Sequence, residues 1–380
     1  MSASTAGRAG GAIAALVARA RRDVDEGLLP ACQVAVARHG ELLAFDTFGA
    51  PPGRDRFVMW SCSKAITAAA AWQVAGEGAL DLTARVVDYV PEFGTFGKDV
   101  VTVEQLLLHT AGFPHAPMGP QYWGTSEGRR HAFSRWRLNW EPGTRYEYHA
   151  LSAHWVVAEI LTAVTGRDHR DLVTERVAAP LGLDRLRLGV PEPEQADIVD
   201  LTTAGTRATD ADWAAAGLTA PPPPPVELPP EAVLFLNAPA AREAGIPAGG
   251  AVSTAGDLAL LYQAFLTNPG DLWNPEVLAD GTGTVRNTFP DEARWGIPAN
   301  RTRGIVVRGD DEGAHWRMHF GPGTSPRTFG HDGAGGQIAW ADPATGISFA
   351  YLTAGMEQNR VVELRRGQEL SALAAAVAGS

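Results

Sequence analysis

Within Trp60-Ser61-Cys62-Ser63-Lys64, two hydroxyls, a thiol and an amine stand at the head of an alanine-rich run, Ala65 to Trp72. If a helix begins at Ser61, Lys64 lies one turn along the same face, so the two side chains are neighbours. A serine at a helix N-terminus sits among unpaired backbone N–H groups that favour developing negative charge. A hydroxyl there, with an amine one turn away, has the makings of a nucleophile and its base. The obstacle is the lysine's charge: with a pKa of about 10.4, roughly one molecule in 2,500 carries the free amine at pH 7. A three-unit depression takes about 4 kcal/mol, supplied by desolvation and nearby positive potential. Cys62 has no base of its own in this pattern, and Ser63 reads as a packing residue. Ser-x-x-Lys alone is a weak signal, since a helix-capping serine followed by a surface lysine spells the same letters.

Two further constellations add chemistry. Glu141-Pro142-Gly143-Thr144-Arg145-Tyr146-Glu147-Tyr148-His149 is a turn leading to tyrosines. A tyrosine carries protons when a cation such as Lys64 lowers its pKa. Phe329-Gly330-His331-Asp332-Gly333-Ala334-Gly335-Gly336-Gln337 precedes a strand, and a glycine-rich strand edge offers unobstructed backbone N–H groups.

Rival sites are weaker. Gly124-Thr125-Ser126-Glu127-Gly128 is a literal G-x-S-x-G, but the proline-bearing stretch before it reads as loop, not as the buried strand a nucleophile elbow needs. His315-Trp316-Arg317-Met318-His319 has H-x-x-x-H spacing without the glutamate of a zinc helix, and it reads as strand. His109 and His115 flank a turn and read as structural, and Arg308-Gly309-Asp310 as a surface turn. No metal and no cofactor is expected. Most of the eleven tryptophans, including Trp123, Trp136, Trp140 and Trp155, belong to the core, some walling an apolar pocket.

The elements that must position these residues follow from periodicity. Gln33 to Phe48 reads as two strands joined at His39-Gly40. Ser61 to Gln73, Val103 to His109, Ser152 to Thr165, Ser253 to Leu266 (capped by Thr254) and Arg360 to Ala378 read as helices. Gly336 to Ala341 and Gly346 to Ala354 form a hairpin, with Ile347, Phe349 and Tyr351 on one face. Pro221 to Pro225 reads as an extended surface crossing, with a proline-recognition ligand as the lesser alternative. Strands at both ends with helices between predict an α+β chain: a discontinuous sheet domain, 1–80 with 246–380, and a mainly helical domain inserted at 81–245.

Composition bounds the partners. The net charge of −11 over 380 residues argues against nucleic acid as a partner, since phosphate binding needs a surplus of Lys and Arg. Two cysteines, Cys32 and Cys62, provide no disulfide framework and read as buried thiols, with a single Cys32–Cys62 bridge as the lesser alternative. Gly10 to Ala18 mimics a signal peptide, but Arg19, Arg21, Arg22 and Asp23 follow, and Ile13, Leu16 and Val17 repeat at helical spacing. The reading is an amphipathic first helix, no membrane span and a cytoplasmic protein.

Taken together, the chain resembles the serine β-lactamase-like family: class C β-lactamases, penicillin-binding proteins and family VIII carboxylesterases. Ser61-Cys62-Ser63-Lys64 matches its S-x-x-K, Pro142-Gly143-Thr144 to Tyr148 its P-G-T…Y, and His331-Asp332-Gly333 its K-T-G or H-x-G. Leu106 to Gly112, Pro180 to Leu183 and Gly249 to Thr254 also have counterparts, in the family's order. The resemblance implies a β-lactamase/transpeptidase-like fold, an antiparallel sheet flanked by helices with an inserted all-helical domain. It implies Ser61 as acylated nucleophile, Lys64 as its partner, Tyr148 as general base alone or with Lys64, and an oxyanion hole from the backbone N–H groups of Ser61 and Ala334. Substrate contacts fall at His331, Gly333, Trp60 and His149. Two departures stand out: Tyr148-His149-Ala150 lacks the asparagine of Tyr-x-Asn, and His331 replaces a lysine that would meet a drug carboxylate. Both favour small esters as substrates. Alternatives are an acyltransferase with an alcohol or amine acceptor, a β-lactamase- or peptidase-like amide hydrolase, and, last, a non-catalytic binding protein. Oligomeric state is not legible.

Overall fold

The computed structural model describes residues 3–222 and 229–379. Its centre is a six-stranded antiparallel sheet. The strands are β1 (Cys32–Arg38), β2 (Glu41–Phe48), β3 (Val306–Val307), β4 (Phe329–Gly333), β5 (Gln337–Asp342) and β6 (Ile347–Thr353), in spatial order β2-β1-β6-β5-β4-β3. The first hairpin turns at His39 and Gly40, both with positive φ (57° and 79°), as a two-residue turn that follows the strand twist requires. β1 runs against β6 from Cys32↔Thr353 to Arg38↔Ile347, joining the two ends of the chain.

Both faces of this sheet are covered, because side chains alternate across it. Val34, Val36, Ile347, Phe349 and Tyr351 pack with Leu16, Ala20, Leu370 and Ala374 of α1 (Ala3–Asp25) and the C-terminal helix (Arg360–Ala376). On the opposite face, Ala35, Ala37, Ala339, Ala341 and Ala350 meet Leu258, Ala259, Leu261, Tyr262 and Phe265 of a helix at Ala255–Thr267. Alanines on that face let the helix lie close. Thr254 caps it, accepting from the Asp257 N–H at 3.1 Å.

The same core continues into the helix-rich middle of the chain. Here α2 (Ser63–Gly76), α3 (Val103–Leu107), α4 (Ser126–Phe133) and α5 (Ser152–Thr165, closed by left-handed Gly166) lie around Trp72, Leu106, Phe133 and Trp155. α2 is buried along Ser63–Val74, and its run of alanines is what allows neighbours to approach on every side. Gly112 takes φ +87° where a Cβ would stand 2.4 Å from the Trp140 carbonyl oxygen. Gly112→Ala is therefore expected to destabilise by about 1–3 kcal/mol, visible as a lower urea midpoint with unchanged slope.

Two expectations are corrected, the start of the first catalytic-site helix and the strand at 315–319. The helix expected from Ser61 is a 3₁₀ turn over Trp60–Cys62 followed by α2 from Ser63. The segment holding His315 and His319 is a 3₁₀ turn, Ala314–His319, and not a strand. Ser126 opens α4 and follows no strand. Cys32 and Cys62 are buried and unpaired by any disulfide. Most of Pro221–Pro225 lies outside the described residues. Among the described residues no helix is long and apolar enough to cross a membrane.

Candidate active site

The short strand Phe57–Val58 pairs with Ala251–Ser253, and the Met59 N–H donates to the Ala251 carbonyl at 2.8 Å. The chain then turns sharply through Trp60 at φ +48° and enters α2. This turn leaves Ser61 partly exposed at its corner and sends Lys64 into the interior, where it is 0% exposed. Lys64 Nζ lies 3.1 Å from Ser61 Oγ and 2.9 Å from the carbonyl oxygens of both Ala150 and Ala248. Burial pushes the Lys64 pKa well below the ordinary lysine value, and the positive charge of Arg301 pushes the same way. A neutral amine has two N–H donors and one lone pair. The two carbonyls take the donors, which leaves the lone pair for the Ser61 hydroxyl, the arrangement a base needs.

Tyr148 stands on the other side of that amine, its ring centre 4.8 Å from Lys64 Nζ. The His109 ring packs on it at 4.7 Å, and His109 Nδ1 accepts the His149 backbone N–H at 3.0 Å, fixing the loop. The Tyr148 hydroxyl is buried without a hydrogen-bond partner. Burial raises its pKa above the usual tyrosine value, outweighing the opposing pull of Arg301 and of the nearby Ser61. At neutral pH the phenol keeps its proton.

β4 supplies the third wall. A Cβ on Gly333 would come within 2.7 Å of the Met59 carbonyl oxygen, so glycine lets the strand end close against the turn that carries Ser61. Ala334, exposed at the start of the following turn, comes next in the chain. Trp60 packs edge-on against Phe235 at 5.7 Å and is 8% exposed.

Two expected substrate contacts are corrected. His149 is fully buried, its Nδ1–H donating to the Glu147 carbonyl at 2.7 Å and its Nε2 accepting the Phe113 N–H at 3.1 Å. It braces two loops instead of facing the cleft. His331 is 1% exposed, with Nδ1–H donating to the Asp332 carbonyl at 2.6 Å and Nε2 accepting from Arg301 at 3.3 Å. Burial, then Arg301, lowers its pKa to about 3, so the ring is neutral and backs Tyr148 from 6.1 Å.

Arg301 is the residue that sequence reasoning missed. It approaches from an irregular segment bridged to Asn287 and Val306, a place no motif marks. His154, stacked on His109 at 5.7 Å with both ring nitrogens unpartnered, was likewise hidden in a helical pattern. Among the described residues no three His, Cys, Asp or Glu side chains gather as metal ligands would.

Comparison with known proteins fits this geometry. The family model described as Beta-lactamase matches residues 16–374. The chain is 30% identical over 318 residues to the Mycobacterium tuberculosis protein called esterase/beta-lactamase LipL, covering 78% of this chain and 68% of that one. It is 28% identical over 380 residues to esterase EstB of Burkholderia gladioli, covering 90% and 91%. A crystal structure of a family VIII carboxylesterase superposes with a TM-score of 0.73 at 25% identity, over 93% of this chain and 96% of that one.

Proposed function

As the chain belongs to the Beta-lactamase family and is a serine hydrolase of that fold, we propose that it is a carboxylesterase cleaving small esters through an acyl-enzyme on Ser61. In this reading Lys64, neutral at rest, takes the Ser61 proton as the hydroxyl attacks the ester carbonyl. The backbone N–H groups of Ser61 and Ala334 receive the developing oxyanion. Tyr148, still protonated, hands its proton to the departing alkoxide and recovers one from Lys64. Water then enters by the same path in reverse and releases the acid.

The observation that carries the reading is the position of Lys64 Nζ, 3.1 Å from Ser61 Oγ with two carbonyls accepting its hydrogens. Esters are favoured over lactams by what stands at 331 and 150. His331 is neutral and inaccessible, and Ala150 offers only its carbonyl, turned to Lys64. A drug carboxylate and its amide side chain lose their usual partners there.

The test is a p-nitrophenyl acyl ester series, with product release and intact mass followed together and a chromogenic cephalosporin as the amide arm. Sustained turnover of esters is the expected outcome. A single equivalent released with a stable adduct on Ser61 would replace hydrolysis by transfer to an alcohol or amine acceptor. Preferential cleavage of the cephalosporin would replace the ester reading.

Tyr148→Phe separates catalysis from stability. Loss of the proton donor is expected to lower kcat about 10²- to 10³-fold. Removing a buried hydroxyl whose one neighbouring hydroxyl is Ser61 should change stability by no more than about 1 kcal/mol. Parallel rate and urea titrations check both.

A further inference from the structure

Arg301 is 1% exposed. The other arginines buried to a similar degree each meet a carboxylate: Arg56 with Asp197, Arg129 with Glu159, Arg242 with Asp200, Arg317 with Asp311 and Arg366 with Asp23. Arg301 forms no ion pair among the described residues; the buried Asp291, which faces Arg294 at 3.7 Å, feels the Arg301 charge only from farther off. The Arg301 Nε–H donates to the Tyr146 hydroxyl at 3.2 Å, its Nη1–H to His331 Nε2 at 3.3 Å, and its Nη2 has no partner. An unpaired buried cation is expensive to keep, and a guanidinium cannot escape by losing its proton. Its Cζ lies 5.0 Å from the Tyr148 ring centre and 5.6 Å from that of Tyr146. Sealed behind these rings it meets no substrate, so its influence must act through its neighbours.

We propose that Arg301 is a positioning residue: its positive charge, held in no ion pair and set behind Tyr148, holds Lys64 uncharged and thereby ready to receive the Ser61 proton. The inference rests on the acyl-enzyme reading above and names how that site is kept primed.

The remaining groups around Lys64 leave this charge dominant after burial itself. Asp332 on β4 pulls the other way, but it is tied to Arg294 at 2.6 Å and faces His319 at 3.5 Å. Cys62, below Lys64 in the same turn, is driven towards its protonated form by burial. His109 beside α3, His154 on α5 and His331 on β4 are all held neutral, as are Tyr146 and Tyr148. Lys64 Nζ and Arg301 Cζ both lie within 5.0 Å of the Tyr148 ring centre, hence no more than about 10 Å apart. At an effective dielectric of about 20 that separation shifts an amine by about one pH unit.

The experiment is the pH dependence of Ser61 acylation, read as the p-nitrophenol burst and confirmed by intact mass, in the wild type, Arg301→Gln and Arg301→Lys. With Lys64 as base, activity requires the neutral amine and falls on the acid side of its pKa. Losing the positive charge raises that pKa. Arg301→Gln is expected to move the acid limb up by about one pH unit, a tenfold loss well below the limb, while the alkaline plateau stays within a few-fold. Arg301→Lys, which keeps a cation, should restore the wild-type limb. A limb that stays put in a folded Arg301→Gln protein overturns the proposal. If that variant does not fold, the wild type still tests the proposal: an acid limb near the ordinary lysine value of about 10.4 overturns it. Failure of the wild type to acylate at any pH would instead remove the acyl-enzyme reading beneath.

Discussion

Ser61→Ala is expected to lower kcat for a p-nitrophenyl ester by about 10⁴- to 10⁶-fold, and Lys64→Met by a similar factor. The two side chains act as one unit, the amine standing 3.1 Å from the hydroxyl it is to deprotonate. Their losses should therefore not add, and the double variant should be no slower than either single one. The pair differs in stability. Lys64 is fully buried with its pKa pushed well down, so methionine, of similar length and uncharged, relieves a desolvation penalty. Against that relief, the Ala150 and Ala248 carbonyls lose their donor, a cost of about 1–3 kcal/mol each, so the thermal midpoint of Lys64→Met should stay close to that of the wild type. Residual turnover above one per cent in a well-folded Ser61→Ala protein would sink the assignment of the nucleophile.

Acidification is expected to unfold the protein between about pH 6 and pH 5. His109, His149, His154, His169, His319 and His331 are all buried, and burial holds each one's pKa below the ordinary value of 6.5. Above that value both folded and unfolded chains carry neutral rings, and this group of residues makes stability independent of pH. Below it the unfolded chain binds protons that the folded chain refuses. The refusal lasts down to about 4 for His169 and His319 and about 3 for His149 and His331. One pH unit below 6.5, each ring favours unfolding by about 1.4 kcal/mol. Together they approach about 8 kcal/mol at pH 5.5, comparable with the whole stability of an ordinary domain. Circular dichroism against pH should show a cooperative loss in that window, and His154→Leu, removing a ring with two unpartnered nitrogens, should move it to lower pH. A fold intact at pH 4 would contradict the argument.

The parts of the site written in local spacing were legible in the sequence. Ser61 and Lys64 sit three apart at a helix start, and the hairpins and α5 follow their turn glycines and periodicity closely. The helix start was two residues early, because Trp60 takes a positive φ and the first turn tightens to 3₁₀. Direction was harder to read than membership. His149 and His331 stand inside the right motifs, yet their rings point inward to backbone groups that nothing in the motif announces. Arg301 was invisible because what distinguishes it is the lack of an ion-paired carboxylate, a property of three dimensions alone.

The pairing of β1 with β6 has a consequence for synthesis. Cys32 meets Thr353 and Arg38 meets Ile347, so the middle of the sheet cannot close until β6 has left the ribosome. Contacts so far apart in sequence form late and slowly. Until then β1 has only its hairpin partner β2, and the alanine-rich α2 has no β4 to lean on. A nascent chain arrested before residue 345 should accordingly remain open to protease throughout, the helical middle included, and protection should arrive in one step once β6 emerges.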